Sequence, residues 1–483
     1  MGYATPERTA LLKDGTLTFT NGTTMPFTGA QAMLKTISAW DGLSLIYILR
    51  YEDITPLVAH VVNHMPHNTA RARMSWDALI SPDGRFFDFT VNTAAGRTRF
   101  HLLRNLLRDD YRREKARTED DMLDILRLYE SHGLLAMTAG AASMRAYTEG
   151  RIPRYRRRFP QLDKETALSL RSAYIGGYMQ AKPGEYGPCL DVDCNSMYPY
   201  VLANMPMPYD MPEHYEGEYE QDDDMPLHVD VITFRATLKE DGYPILVDGS
   251  RMMSRADRLV DTKGYVTRAL TDVDQRLLEE NYDVRIYRHE HGWKFRASRG
   301  LFTWFVDEWG DMKRHSAGHA RQMAKLVMNA LVGKMASLPR DVCMLPKSDD
   351  GVTLDYEPGD GRERQGLEYL PVPLFVNANA RRLLLDMLRA NAGRVIHANT
   401  DGAILEGLEP PEGVKLDPGE LGAWKTIPYE RATVLGLNEY QAEREDGRID
   451  LIMSGMSFEK PIPWESYKHG SVVKDMFGQS ITL

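Results

Sequence analysis

Three short segments hold the residue types that phosphoryl transfer requires. The first is Leu190-Asp191-Val192-Asp193-Cys194-Asn195-Ser196-Met197-Tyr198-Pro199, an apolar strand that ends in acids and runs into a helix. A strand presents a carboxylate from a rigid base, which suits a divalent-metal ligand. The alternative is that these acids cap the following helix. The second is Arg394-Val395-Ile396-His397-Ala398-Asn399-Thr400-Asp401-Gly402-Ala403-Ile404, two apolar strands joined by a polar tip. Asp-Gly is a strong turn signal, so taken alone this segment reads as an ordinary hairpin. The third is helical: Lys313, then the run from Lys325 to Lys334, in which Lys325 and Asn329 are one turn apart on one face. A cation and an amide so placed can hold a polyphosphate and a neighbouring base, or can be the solvated side of an amphipathic helix. Along the chain an acid-bearing strand, a Lys-bearing helix and an acid-bearing hairpin follow in that order, and together they supply the parts of a two-metal site. Carboxylates from separate strands clamp two metal ions, and cations neutralise a triphosphate as pyrophosphate leaves.

The elements that must position these residues occupy a chain of 483 residues, long enough for about three domains. Its formal net charge of −10 excludes a histone-like or arm-type nucleic-acid binder. It does not exclude a local basic cleft, because binding follows the distribution of charge. Three cysteines, Cys189, Cys194 and Cys343, can make neither a disulfide framework nor a four-thiolate zinc site, which points to a reducing, cytoplasmic setting. The first residues carry no apolar h-region, and no apolar run reaches roughly 18 residues, so neither a secretory signal nor a membrane span is expected.

Strands are expected at residues 16–20, 43–51, 85–91, 188–192, 229–238, 284–288, 293–297 and 394–397. Residues 118–129 form a helix with Met122, Ile125, Leu126 and Tyr129 on one face, and 377–391 form another with Leu384, Met387 and Leu388 on its apolar side. Residues 301–338 are mostly helical, with a break at 316–318. Residues 216–224 read as a solvated acidic loop and 349–366 as an exposed loop or hairpin. Arg151, Arg154, Arg156, Arg157 and Arg158, interleaved with Tyr155 and Phe159, are either a solvated loop or a phosphate-facing patch.

Motifs along the chain from about residue 137 onward give it a resemblance to a family. Met137-Thr138-Ala139-Gly140 comes first, then Tyr174-Ile175-Gly176-Gly177, a Tyr-x-Gly-Gly motif. Asp193 to Pro199 matches Asp-x-x-Ser-Leu-Tyr-Pro, Lys325 to Gly333 matches Lys-x-x-x-Asn-Ser-x-Tyr-Gly, and His397 to Gly402 stands where Tyr-x-Asp-Thr-Asp-Ser belongs. Pro226-Leu227-His228, Gly300-Leu301-Phe302 and Leu421-Gly422-Ala423-Trp424 add further matches. In this set and order the chain resembles the protein-primed family B DNA polymerases of phages.

The resemblance implies an α+β, multidomain right-hand polymerase with palm, fingers and thumb. It implies that Asp193 and Asp401 are the catalytic, metal-binding carboxylates, with the Cys194 carbonyl as a further ligand and two Mg²⁺ ions, or Mn²⁺, as cofactors. Asp191 shares a strand face with Asp193, but only Asp193 has the motif spacing to Ser196 and Tyr198. By the same resemblance Tyr198 is the steric gate under the sugar, Lys313 and Lys325 contact the incoming triphosphate, and Asn329 lines the nascent base pair. Tyr174, Gly176, Gly177 and Tyr440 contact DNA. The partners implied are template and primer DNA, deoxynucleoside triphosphates and a terminal protein whose hydroxyl starts synthesis.

The chain departs from the pattern at Asn399, Gly402, Val332 and Ala330, and at Asn438-Glu439-Tyr440, where the family has Lys-x-Tyr. No Asp-x-Glu precedes the arginine-rich segment. Asp163-Lys164-Glu165 fits the letters but lies just before Tyr174, and Asp88, Asp120 and Asp121 are the remaining acids near expected positions. The expected layout is a shortened, inactive exonuclease-like domain at 1–173 and palm at 174–206 and 366–455. An insertion resembling the priming-protein-contacting region occupies 207–299, fingers 300–338, a second short insertion 339–365, and the thumb 456–483. A polymerase-like nucleic-acid-binding subunit without catalysis is the rival reading, and synthesis without a terminal protein is a third.

Overall fold

The computed structural model describes all residues except 1–4, 69–72, 83–85, 108–117, 150, 248–257, 338–342, 360–368, 454–457, 459 and 475–479. The expected strand start at Arg85, the ends of the second insertion and the proposed thumb start at Met456 lie outside the described residues. The chain forms two compact units: Met1–Arg157 with Asp307–Glu368, and Arg158–Val306 with Tyr369–Leu483.

The first unit is built on a nine-stranded sheet. Arg8–Lys13 runs parallel to Gly42–Ile48, which runs parallel to Gly96–Leu102. Phe87–Thr93 and Met74–Ile80 extend it in antiparallel fashion. The hairpin Met344–Lys347 and Asp355–Pro358, from the second insertion, joins the far edge through Met344 and Ile80. Arg8–Lys13 is a central strand covered on both faces, which is why its middle reads Thr-Ala-Leu-Leu without alternation. Leu12, Ile46, Ile48, Phe87, Phe89 and Phe100 form its core. The helix Glu119–Ser131 starts from a reciprocal cap between Thr118 and Asp121 and buries Met122, Ile125, Leu126 and Tyr129, the expected face. Ala139–Thr148 packs along Gly318–Met335, where Ser143 Oγ donates to the Val327 carbonyl.

The arginine-rich segment is a helix, Ile152–Arg158, and not a loop. Its aromatic residues turn inward, Tyr155 against Tyr147 and Phe159 against Phe302 and Tyr369, while Arg154, Arg157 and Arg158 stay exposed.

The second unit holds an eight-stranded sheet whose middle is Cys189–Cys194, flanked by Gly402–Glu406 and Trp424–Gly436. The helices Met197–Asn204 and Pro371–Ala390 pack together. The latter begins earlier than expected. Pro371 stands at its first position, and residues 371–376 are buried all round, so they show no amphipathic period. A separate four-stranded sheet contains Met207–Glu216, Tyr282–Ser298, Leu227–Leu238 and Val266–Thr271. Tyr282–Ser298 is one strand where two were expected. Register shifts opposite Val231/Ile232 and Thr233/Phe234 interrupt the alternation, and Gly292, which reads as a break, lies where the Tyr215 ring leaves no room for a side chain.

Candidate active site

Asp193 lies one residue from the end of Cys189–Cys194. Cys189, Leu190, Val192 and Cys194 are buried, and Asp191 and Asp193 share the more open face. The acids do not cap the next helix: the N-cap of Met197–Asn204 is Ser196, in left-handed conformation (φ 54°), and the first turn holds no acid.

The second segment is a hairpin, Val395–Asn399 with Gly402–Glu406, and its turn carries Asp401. Thr400 is left-handed (φ 59°), and the Asp401 N–H donates to the Asn399 carbonyl at 2.6 Å. The turn is fastened to the Asp193 strand, because the Cys194 N–H donates to the Asp401 carbonyl at 2.9 Å. Gly402 pairs directly with Asp193, and a Cβ on it would lie 2.9 Å from the Val192 oxygen. Hairpin and acid carrier are therefore the same object. Asp193 and Asp401 both lie close enough to the Cys194 thiol to help push it up to about 12, although burial is the larger cause.

On the other flank Lys425 pairs with Asp193, its Nζ 2.8 Å from Oδ2. Burial first, and then the Asp193 charge, raise the Asp191 carboxyl to about 7, against the opposing pull of Lys425. Both effects disfavour the ionised form of Asp191, the form a hard-metal ligand needs. Burial, and next the negative charge of Asp401, make the Tyr198 hydroxyl a weaker acid, with Arg381 opposing and Tyr174 adding. Tyr198 therefore lies within electrostatic reach of the Asp401 turn.

The Tyr174–Gly177 loop is held from below by a residue that sequence reasoning missed. Arg381, 1% exposed, donates from Nη1 to the carbonyls of Ile175 (2.6 Å) and Gly176 (2.8 Å). Its Nη2 donates to both oxygens of Asp274, at 2.6 and 2.8 Å. Its signal in the sequence is an arginine on the stripe Leu374, Ala378, Arg381, Leu385 of an otherwise apolar helix face. Gly177 abuts the hairpin turn. A Cβ there would sit 2.8 Å from Thr400 Cγ2, and the Thr400 N–H donates to the Tyr178 carbonyl at 2.8 Å. Arg258 lies over the Tyr178 ring, 5.0 Å from its centroid.

Asn438 occupies a left-handed turn position (φ 54°) between Trp424–Gly436 and Glu439–Arg444, which asparagine tolerates better than lysine. Its N–H donates to His397 Nε2 at 3.4 Å, and burial lowers the His397 imidazole to about 4, so that nitrogen is an acceptor on a neutral ring. Tyr440 lies against His397 with ring centroids 5.0 Å apart.

Lys313, Lys325 and Asn329 belong to the first unit. Lys313 is in the last turn of Thr303–His315, and its carbonyl accepts from Arg321 at 2.6 Å. Lys325 is exposed and Asn329 half-buried, whereas Met323, Ala324, Val327, Met328 and Leu331 form the buried side of Gly318–Met335. The N-terminal acids have structural partners. Asp88 is buried with Arg99 and lies 3.6 Å from His101, Asp121 closes the cap of its helix, and Asp163 caps Lys164–Arg171. A cavity of about 290 Å³ in this unit is bordered by Asp14 and Asp53, both paired with Arg50.

Two carboxylates from adjacent strands are hard oxygen donors suited to Mg²⁺ or Mn²⁺. Among the described residues no group of three or more His, Cys, Asp or Glu side chains is placed to hold a metal, so any ion here would rest on two side chains, backbone oxygen, water or substrate. The Lys425 ammonium lies against Asp193, so this carboxylate already has one cationic partner.

No helix among the described residues is long and apolar enough to cross a membrane. The family described as DNA polymerase type B, organellar and viral, matches residues 130–411. A DNA polymerase of Bacillus phage Nf is 33% identical over 318 residues, covering 64% of this chain and 55% of its own length. That of Bacillus phage PZA is 31% identical over 366 residues, covering 73% of this chain and 64% of its own. The chain thus spans about half to two thirds of the length of the curated relatives it matches. The solved phi29 DNA polymerase in complex with primer-template DNA and incoming nucleotide superposes with a TM-score of 0.84 at 22% identity, over 97% of this chain and 95% of that one. The fold is that of a right-hand family B polymerase, and the chain belongs to the organellar and viral type B DNA polymerases.

Proposed function

We propose that the protein is a template-directed DNA polymerase of a phage or phage-like replicon, acting in the host cytoplasm and primed by a terminal protein. The observation that carries this reading is the fastening of the Asp401 turn to the end of the Asp193 strand, which brings the two acid-bearing segments together at one end of the central strands. Bound Mg²⁺ or Mn²⁺ would activate the primer hydroxyl and stabilise the departing pyrophosphate. Asp193, Asp401 and the Cys194 carbonyl would hold the ions. Tyr198 would close the space beneath the sugar and exclude a 2′-hydroxyl. Lys313 and Lys325 would bind the triphosphate, and Asn329 would border the base pair. The Arg381-braced loop would present Tyr174, Gly176 and Gly177 to template DNA, with Tyr440 near the primer terminus.

The domain layout follows the same reading: an exonuclease-like region at 1–173, palm at 174–206 and 366–455, insertions at 207–299 and 339–365, fingers at 300–338 and a thumb from 456. The test is extension of a DNA primer, and of the cognate terminal protein, across a titration of Mg²⁺ and Mn²⁺. Wild type should add nucleotides, and Asp193→Asn and Asp401→Asn should each lose activity by about a thousand-fold or more. No addition by wild type at any metal concentration would establish the non-catalytic binding subunit instead. An unimpaired Asp401→Asn would show that the hairpin is only a turn.

A further inference from the structure

Asp193 has an asymmetric environment. On one flank its cross-strand partner is Gly402, which contributes no side chain. On the other it is Lys425, and residues directly opposite in an antiparallel pair point to the same side. A lysine at this register lies against Asp193 by construction, and Nζ is 2.8 Å from Oδ2. The third acid that the motif pattern leads one to expect is replaced by Asn399, whose amide oxygen accepts from the Thr400 hydroxyl at 2.7 Å. The face thus combines the carboxyl groups of Asp191, Asp193 and Asp401 with the Lys425 ammonium and a neutral amide.

We propose that Lys425 is an internal counter-cation that occupies Asp193 until a divalent ion displaces it, and so sets the metal concentration at which the site fills. This rests on the reading of Asp193 as a metal ligand. Lys425 is suited to leaving: its side chain is 43% exposed, and its flexible stem lets the ammonium swing into solvent without disturbing the strand. A divalent ion offers twice the charge and can engage the Asp401 carboxylate as well, so it prevails once concentrated enough.

The test is direct Mn²⁺ binding to the whole protein, without DNA or nucleotide, followed by electron paramagnetic resonance. Lys425→Ala should tighten the Asp193-dependent site about five-fold, the order expected for removing a half-exposed ion pair. Lys425→Arg, which keeps the charge, should stay near wild type, and Asp193→Asn should lose the site. In primer extension the Mg²⁺ midpoint of Lys425→Ala should fall by a similar factor. If Asp193→Asn removes the site but Lys425→Ala leaves it unchanged or weaker, Lys425 is no competitor and the proposal is wrong while the metal reading stands. If Asp193→Asn binds Mn²⁺ as wild type does, both fall together. Circular dichroism of each variant separates these outcomes from unfolding.

Discussion

Removing the carboxylate beneath the Tyr174–Gly177 loop should be among the most damaging single changes outside the reacting centre. Arg381 and Asp274 have side chains 2% and 1% exposed, and their bidentate pair is completed by Thr271 Oγ1 donating to Asp274 Oδ2 and by two loop carbonyls. Asp274→Ala leaves a guanidinium buried with only the carbonyls of Ile175 and Gly176 as partners. An uncompensated buried charge of this kind costs about 3–5 kcal/mol, a large part of the roughly 5–15 kcal/mol that holds a domain folded. Arg381→Met strands the buried Asp274 carboxylate with Thr271 as its remaining partner, again an uncompensated charge, and also frees the two carbonyls, each an unmet buried acceptor costing about 1–3 kcal/mol. The double variant should be less destabilised than the sum, by at least about 2 kcal/mol, because it never leaves a lone charge. Urea unfolding of the four proteins, followed by tryptophan fluorescence, closes the cycle. If the Asp274→Ala loss is under about 1 kcal/mol, or the double variant equals the sum, the pair is not what braces the loop.

Gly177→Ala should cost about 1–3 kcal/mol by overpacking against Thr400, and adding Thr400→Ser, which deletes the nearest methyl, should restore part of it in the same unfolding assay. Burial depresses His397 from an ordinary 6.5 to about 4, so the unfolded chain binds its proton first. The stability this residue contributes is complete above pH 6.5 and is lost as pH falls towards 4, by about 3 kcal/mol in all. His397→Gln should therefore flatten urea midpoints between pH 7 and 4.5, and an unchanged slope would place the acid sensitivity elsewhere. Tyr198→Val should raise ribonucleotide incorporation relative to deoxynucleotide, measured as a ratio of kcat/KM values; equal discrimination would assign the gate to another side chain.

The parts of this protein that were legible in its sequence are those whose chemistry is local. Asp193 near the end of a strand and Asp401 in an Asp-Gly turn between two apolar runs were legible as local structure, while their reading as metal ligands came from the family resemblance. The break at residues 316–318 and the apolar face of the 118–129 helix were visible for the same reason. What escaped were features made by partners far apart in the chain. Arg381 meets Asp274 and Ile175 across more than a hundred residues, and nothing near Arg381 announces either partner. Lys425 is a surface lysine by composition, and only strand register sets it against Asp193. Tyr282–Ser298 looked like two strands because Gly292 and two register shifts disturb the alternation that a strand assignment relies on. The arginine-rich helix looked like a loop because charge hid the inward turn of Tyr155 and Phe159.

The first compact unit is assembled from Met1–Arg157 and Asp307–Glu368, with much of the other unit encoded between them. During synthesis the helix Ala139–Thr148 leaves the ribosome long before its packing partner Gly318–Met335, and the strand Met74–Ile80, bridged at Trp76 by residues 66–68, has its Ile80 end waiting for Met344. For that interval, on the order of ten seconds at bacterial elongation rates, the nascent chain exposes the Ile80 end of a strand edge and an uncovered apolar helix face. Expression yield should then depend on translation speed through residues 158–306 and on chaperone supply. A fragment ending near residue 157 should aggregate, whereas the same fragment co-expressed with residues 307–368 has the pieces it needs to close its own core.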